Sequence, residues 1–123
     1  MLSLIKRTLF IFCCLFSVTC SSNNKEDIYK QYTKICDIVA LNYDKFTKTK
    51  QTSGEIALLY AAMEKDINKS IPSEQVRKSY FDLFKIGSGN PYELFQQEIK
   101  MQTGKDYQCD AFLQMTKIKP KSD

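Results

Sequence analysis

The run Asn23–Phe46, NNKEDIYKQYTKICDIVALNYDKF, decides the fold. Apolar side chains recur in it at Ile28, Tyr32, Ile35, Cys36, Val39, Tyr43 and Phe46. Those steps of three and four draw a single stripe along a helix of about six turns. Asn23 followed by Glu26 forms a capping box, so the helix is expected to open at Asn23. Cys36 lies on the stripe and therefore faces whatever the helix packs against.

Reading outward from this run, the rest of the chain is punctuated in the same way. Thr47 to Gln51 is a polar connection, and Thr52 with Glu55 opens a second helix through Ile56, Leu59, Tyr60, Met63 and Ile67. Ala57, Leu58, Ala61 and Ala62 widen its apolar face, which predicts that this helix is the central one. Ile71-Pro72 ends it, and Ser73 caps a third helix with Val76, Tyr80, Leu83 and Phe84 directed inward. Gly87 stands at a helix stop. Asn90-Pro91 with Glu93 then combines a cap residue, a proline at the first helical position and an acidic partner. Leu94, Phe95 and Ile99 supply the inner face of this fourth helix, and Gly104 closes it. A short last helix over about Gln108 to Met115 carries Phe112 and Cys109. Neither strand alternation nor an internal repeat competes with this pattern. The expected fold is all-α: a compact bundle of four main helices over 25–116 plus the short C-terminal one, followed by a basic tail, 117–123, free in solvent.

The first twenty residues have a different character. Lys6-Arg7 forms a positive start, and Thr8 to Val18 (TLFIFCCLFSV) is an apolar run of 11 residues. A bilayer-spanning helix needs about twenty, so the run has the length of a signal-peptide core. It ends in Ser17-Val18-Thr19-Cys20, followed by the polar Ser21-Ser22-Asn23-Asn24. This segment resembles the signal of bacterial lipoproteins, in which an aliphatic residue and two small ones precede the cysteine that is lipidated. Ser17 and Thr19 depart from the usual Leu and Gly or Ala. The resemblance covers residues 1–24 alone. It implies a signal peptide over 1–19, a lipidated Cys20 with a short tether over 20–24, and attachment to a membrane through that lipid. Ser21 in place of Asp implies, by the same resemblance, the periplasmic face of an outer membrane.

Export bears on the cysteines. Of five, Cys13 and Cys14 leave with the signal and Cys20 is the lipid site, so Cys36 and Cys109 remain. An even remainder in an oxidising compartment implies one disulfide between them. Closing so long a loop is worth about 4 kcal/mol, a large share of the stability of a domain of this size.

Composition narrows the function classes. Hydrophobic residues make up 43% of the 123, with 7 Tyr and 8 Phe, which is too apolar for a disordered chain. Of 18 Lys+Arg, Lys6 and Arg7 lie in the leader, leaving 16 against 14 Asp+Glu. That balance does not favour nucleic acid. The chain has no His, which removes the usual general base and metal ligand together. Glu64 with Asp66 and Glu93 with Glu98 are spaced off a common helix face, and Gly87-Ser88-Gly89 lacks a phosphate-loop pattern. The expectation is no enzyme, no metal and no cofactor. Aromatic residues exceed what so small a core needs, and Tyr29 and Phe81 fall off the stripes of their helices. Such residues suit a partner surface. The function expected is protein–protein binding by a small envelope lipoprotein, its partner another envelope protein. The alternative is an immunity protein directed at a toxin, a class this chain is similar to in size and helical character alone.

Overall fold

The computed structural model describes the backbone of residues 2–121 and the side chains of residues 24–121. Five helices follow one another: α1 (Leu2–Thr47), α2 (Ser53–Ser70), α3 (Glu74–Asp82), α4 (Pro91–Thr103) and α5 (Asp110–Thr116). The all-α expectation holds, as does the bond between Cys36 and Cys109, whose Cα atoms lie 5.7 Å apart. No helix among the described residues is long and apolar enough to cross a membrane.

Hydrogen bonds between elements fix an up-and-down course. Asn42 of α1 donates to Asp66 of α2 over 3.0 Å, so these helices run antiparallel. At the far end of α2, the Ser73 amide donates to Gln31 Oε1 (3.0 Å), which returns the chain to the first part of α1. α3 climbs again, and α4 descends until Tyr32 donates to Gln102 Oε1 across 2.6 Å. α5 climbs from the Cys36–Cys109 bond, and the segment after it ends with the Lys121 amide donating to the Gln51 carbonyl (3.0 Å). The molecule therefore has two poles. One holds residues 24–28, the α2–α3 turn and the α4–α5 connection; the other holds the α1–α2 and α3–α4 turns and the residues after α5.

The caps read from the sequence form as local chemistry dictates. Thr52 and Ser73 accept from the amides of Glu55 and Val76, and Asn90 accepts from that of Tyr92 with Pro91 beside it. Gly104 ends α4 at φ 74°, a left-handed conformation that glycine adopts without cost. The core is centred on Phe95, whose ring meets Tyr32 (5.4 Å), Tyr107 (5.5 Å), Tyr80 (6.1 Å) and Phe112 (5.2 Å). The three tyrosines meet it edge-to-face and Phe112 stacks on it, and aromatic pairs of either kind add about 0.5–1.5 kcal/mol each beyond the area they bury.

Four expectations need correction. The helix does not open at Asn23, because α1 runs through it without a break. A Ser or Asn inside a helix costs only about 0.5 kcal/mol, so helix arriving from the N-terminal side passes over a capping signal. The central helix is α1, not α2: α1 packs on α2, α4 and α5, while Leu58 is 66% exposed and Ala57 and Ala61 face solvent. Alanines carry little apolar area, so burial follows the longer side chains. Phe84 is inward only in part, its ring meeting Tyr60 (5.5 Å) and Tyr80 (5.3 Å) at the edge of the core. α3 ends at Asp82, and the next amides bond three residues back, which shifts Phe84 off the helical period and leaves it 42% exposed. Finally, the segment after α5 is not free as far as Lys121: Ile118 packs on the core and the Lys121 amide is bonded.

Candidate binding surface

A concavity with an apolar floor lies between α3 and α4. Antiparallel packing of two helices leaves a groove where side chains at the seam are short or turn aside. Here that groove encloses about 520 Å³. Leu83, Ile86, Leu94 and Met101 give it apolar walls, and Gln75, Ser79, Gln97 and Gln102 border it with amides and a hydroxyl. Ile86 is 53% and Met101 76% exposed, unusual for apolar side chains of this size. Met101 and Gln97 also border a second concavity, reaching to Lys100, Asp106, Tyr107 and Gln108. Met101 thus stands as a ridge between two hollows.

Part of the polar border is held in fixed positions. Gln102 donates to Glu98 Oε1 (2.8 Å) and Ser79 Oγ (3.0 Å) while accepting from Tyr32, so its amide is oriented from three sides. Asp82 is bound by Lys78 and, at 3.5 Å, by Lys85. The hydrogen bond from Lys78 holds the Asp82 carboxyl below its ordinary range. Burial raises the Tyr32 hydroxyl, so it stays a neutral donor at physiological pH. The groove therefore offers one oriented amide, one ion-paired carboxylate and an apolar floor, the equipment for holding a side chain or a short helix. No group of three His, Cys, Asp or Glu side chains able to hold a metal ion occurs among the described residues.

The residues singled out in the sequence fall elsewhere. The Cys20 side chain lies outside the described residues. Cys36 and Cys109 are joined, which ties the start of α5 to α1. Tyr29 and Phe81 are half-buried against the core rather than paired in one patch. Tyr29 donates to the Asp106 carbonyl (3.0 Å) and carries the Lys105 ammonium 4.9 Å above its ring, while the Phe81 ring meets Tyr80 at 5.3 Å. Tyr29 thereby helps to hold the α4–α5 loop against α1. Asp66 and Glu98, weighed above as carboxylates, accept from Asn42 and Gln102. Ile86 and Met101 were missed, though a signal existed: both are large apolar residues set among polar neighbours, off the inward stripes.

Of the protein-family models, curated proteins and solved structures compared with the chain, none matches it.

Proposed function

We propose that this protein is a non-enzymatic, membrane-attached binding protein of the cell envelope, and that the α3–α4 groove receives another envelope protein. One observation carries the reading: Ile86 and Met101 stay exposed beside a groove in whose border Gln102, Ser79 and Asp82 are already held by hydrogen bonds and ion pairs. Exposed apolar side chains around a prepared concavity are the usual centre of a partner interface. Attachment to the membrane follows from the resemblance of residues 1–24 to a lipoprotein signal. Intact mass of the protein from native membranes tests that half, since the reading requires residues 20–123 plus acyl groups.

A photoreactive amino acid in place of Met101, expressed in cells, tests the groove. The expected result is an adduct with one protein, lost when Ile86→Lys is added, and absent when the reactive residue replaces Lys65 on α2. Adducts of equal yield at both positions, or none at Met101, would overturn the assignment. Should the captured protein be a toxin whose action on sister cells the chain blocks, the immunity reading replaces that of an accessory to an envelope complex.

A further inference from the structure

The pole remote from residues 24–28 gathers lysines that the sequence keeps far apart. Lys45, Lys48 and Lys50 come from the end of α1 and its turn, and Lys117, Lys119 and Lys121 from the segment after α5. The bond from the Lys121 amide to the Gln51 carbonyl brings the two sets together, and all six side chains are exposed. Ile118 holds the second set in place by packing on the core between Lys117 and Lys119. Among the described residues, Asp44 and Glu55 stand against them. Asp44 binds Lys48 at 3.2 Å, and Glu55 borders the same hollow as Lys45. Positive charge remains in excess, and no ion pair among the described residues involves Lys45, Lys50, Lys117, Lys119 or Lys121.

We infer that this lysine pole seats on the anionic phosphate headgroups of a phospholipid surface, giving the domain a second point of membrane contact. Lysine ammoniums are compact charges on flexible stems, suited to a diffuse field of phosphates rather than to one shaped ligand. A cluster of this size is in the range that membranes carrying anionic lipid attract, each lysine near the surface adding about 1 kcal/mol. Described residues of α1 before the pole span about 35 Å, so contact at both ends lays the bundle along the membrane. The outward side of α1 between them, with Lys30, Lys34 and the 56% exposed Leu41, can then meet the headgroups, although Asp37 on the same side opposes it. This orientation, but not the lysine contact itself, rests on the membrane-attachment reading above.

The test uses protein purified from native membranes and vesicles of phosphatidylcholine alone or mixed with phosphatidylglycerol. A photoreactive amino acid at exposed Ser53, beside the pole, reports lipid adducts. Adducts are expected on the mixed vesicles, with several-fold fewer on phosphatidylcholine. Lys50→Gln with Lys119→Gln should lower the association constant behind them about 25-fold, about fivefold per lysine. Lys65→Gln with Lys69→Gln on α2 should leave the yield unchanged. Equal adducts on both vesicles, or none, would overturn the inference. So would their loss to added inorganic phosphate, which assigns the pole to free phosphate, or protein adducts in place of lipid ones in cells, which assigns it to an acidic partner. Sedimentation with phosphatidylcholine vesicles reads the N-terminal anchor separately, so its failure leaves the lysine result interpretable.

Discussion

Tyr107 shows how much one side chain can hold here. Its hydroxyl donates to the Tyr32 carbonyl (2.9 Å), its own carbonyl accepts from Gln96 (2.7 Å), and its ring packs on Phe95. This one residue reaches both α1 and α4 from the loop between α4 and α5, beside the bonds that Tyr29 and Lys100 make to Asp106. Burial raises the Tyr107 hydroxyl well above its ordinary 10.0, and burial does the same to Tyr80. The folded state thus keeps both neutral, while the unfolded chain ionises them near pH 10. Stability from these groups is complete below about pH 10 and falls as pH rises beyond it, because the unfolded state then releases protons that the folded state retains. Urea unfolding at about pH 8 and about pH 11 should show this loss, and Tyr107→Phe should reduce it. The same substitution should cost about 1 kcal/mol at neutral pH, for the missing bond to Tyr32. A variant with the full alkaline loss would show that the slope comes from other groups.

Helix ends are where the sequence speaks most clearly, because a cap is a contact within four residues. Thr52, Ser73, Asn90 and Gly104 all do what their chemistry requires. At Gly104 a Cβ would meet nothing within 4 Å, so the cost of Gly104→Ala is purely one of backbone conformation at φ 74°. About 1–2 kcal/mol of destabilisation is expected, read as a lower thermal midpoint. Gly87→Ala, where the Cβ is equally unobstructed and φ is not positive, should change little. The inward stripe of α1 was legible for the same local reason, down to Cys36. Less legible were features decided between elements. The depth of α2 depended on its neighbours rather than on its own alanines, the docking of Ile118 on a surface remote in the chain, and the partial exposure of Phe84 on where α3 stopped. The groove was invisible for that reason too. Ile86 and Met101 are fifteen residues apart and meet only because the Gly87–Asn90 corner folds α4 back on α3.

At the scale of the molecule, the Cys36–Cys109 bond joins positions 73 residues apart and sets the first helix against the last. Two-state unfolding in denaturant, with and without reductant, should differ by about 4 kcal/mol, the loop-closure value for a ring of this length. A difference under about 1 kcal/mol would mean that the reduced chain is already confined by other contacts. The connection also decides how the protein carries load. A molecule held at its N-terminal end and pulled from the segment after α5 transmits tension along α1 to Cys36, across to Cys109, and out through α5. Everything between the two cysteines, including α2, α3, α4 and the whole groove, sits on a slack branch that bears none of the pull. Oxidised, such a molecule conceals about 25 nm of contour length. Reduction places that branch in series with the rest, so the same force that once stretched two short ends now unravels the α3–α4 groove.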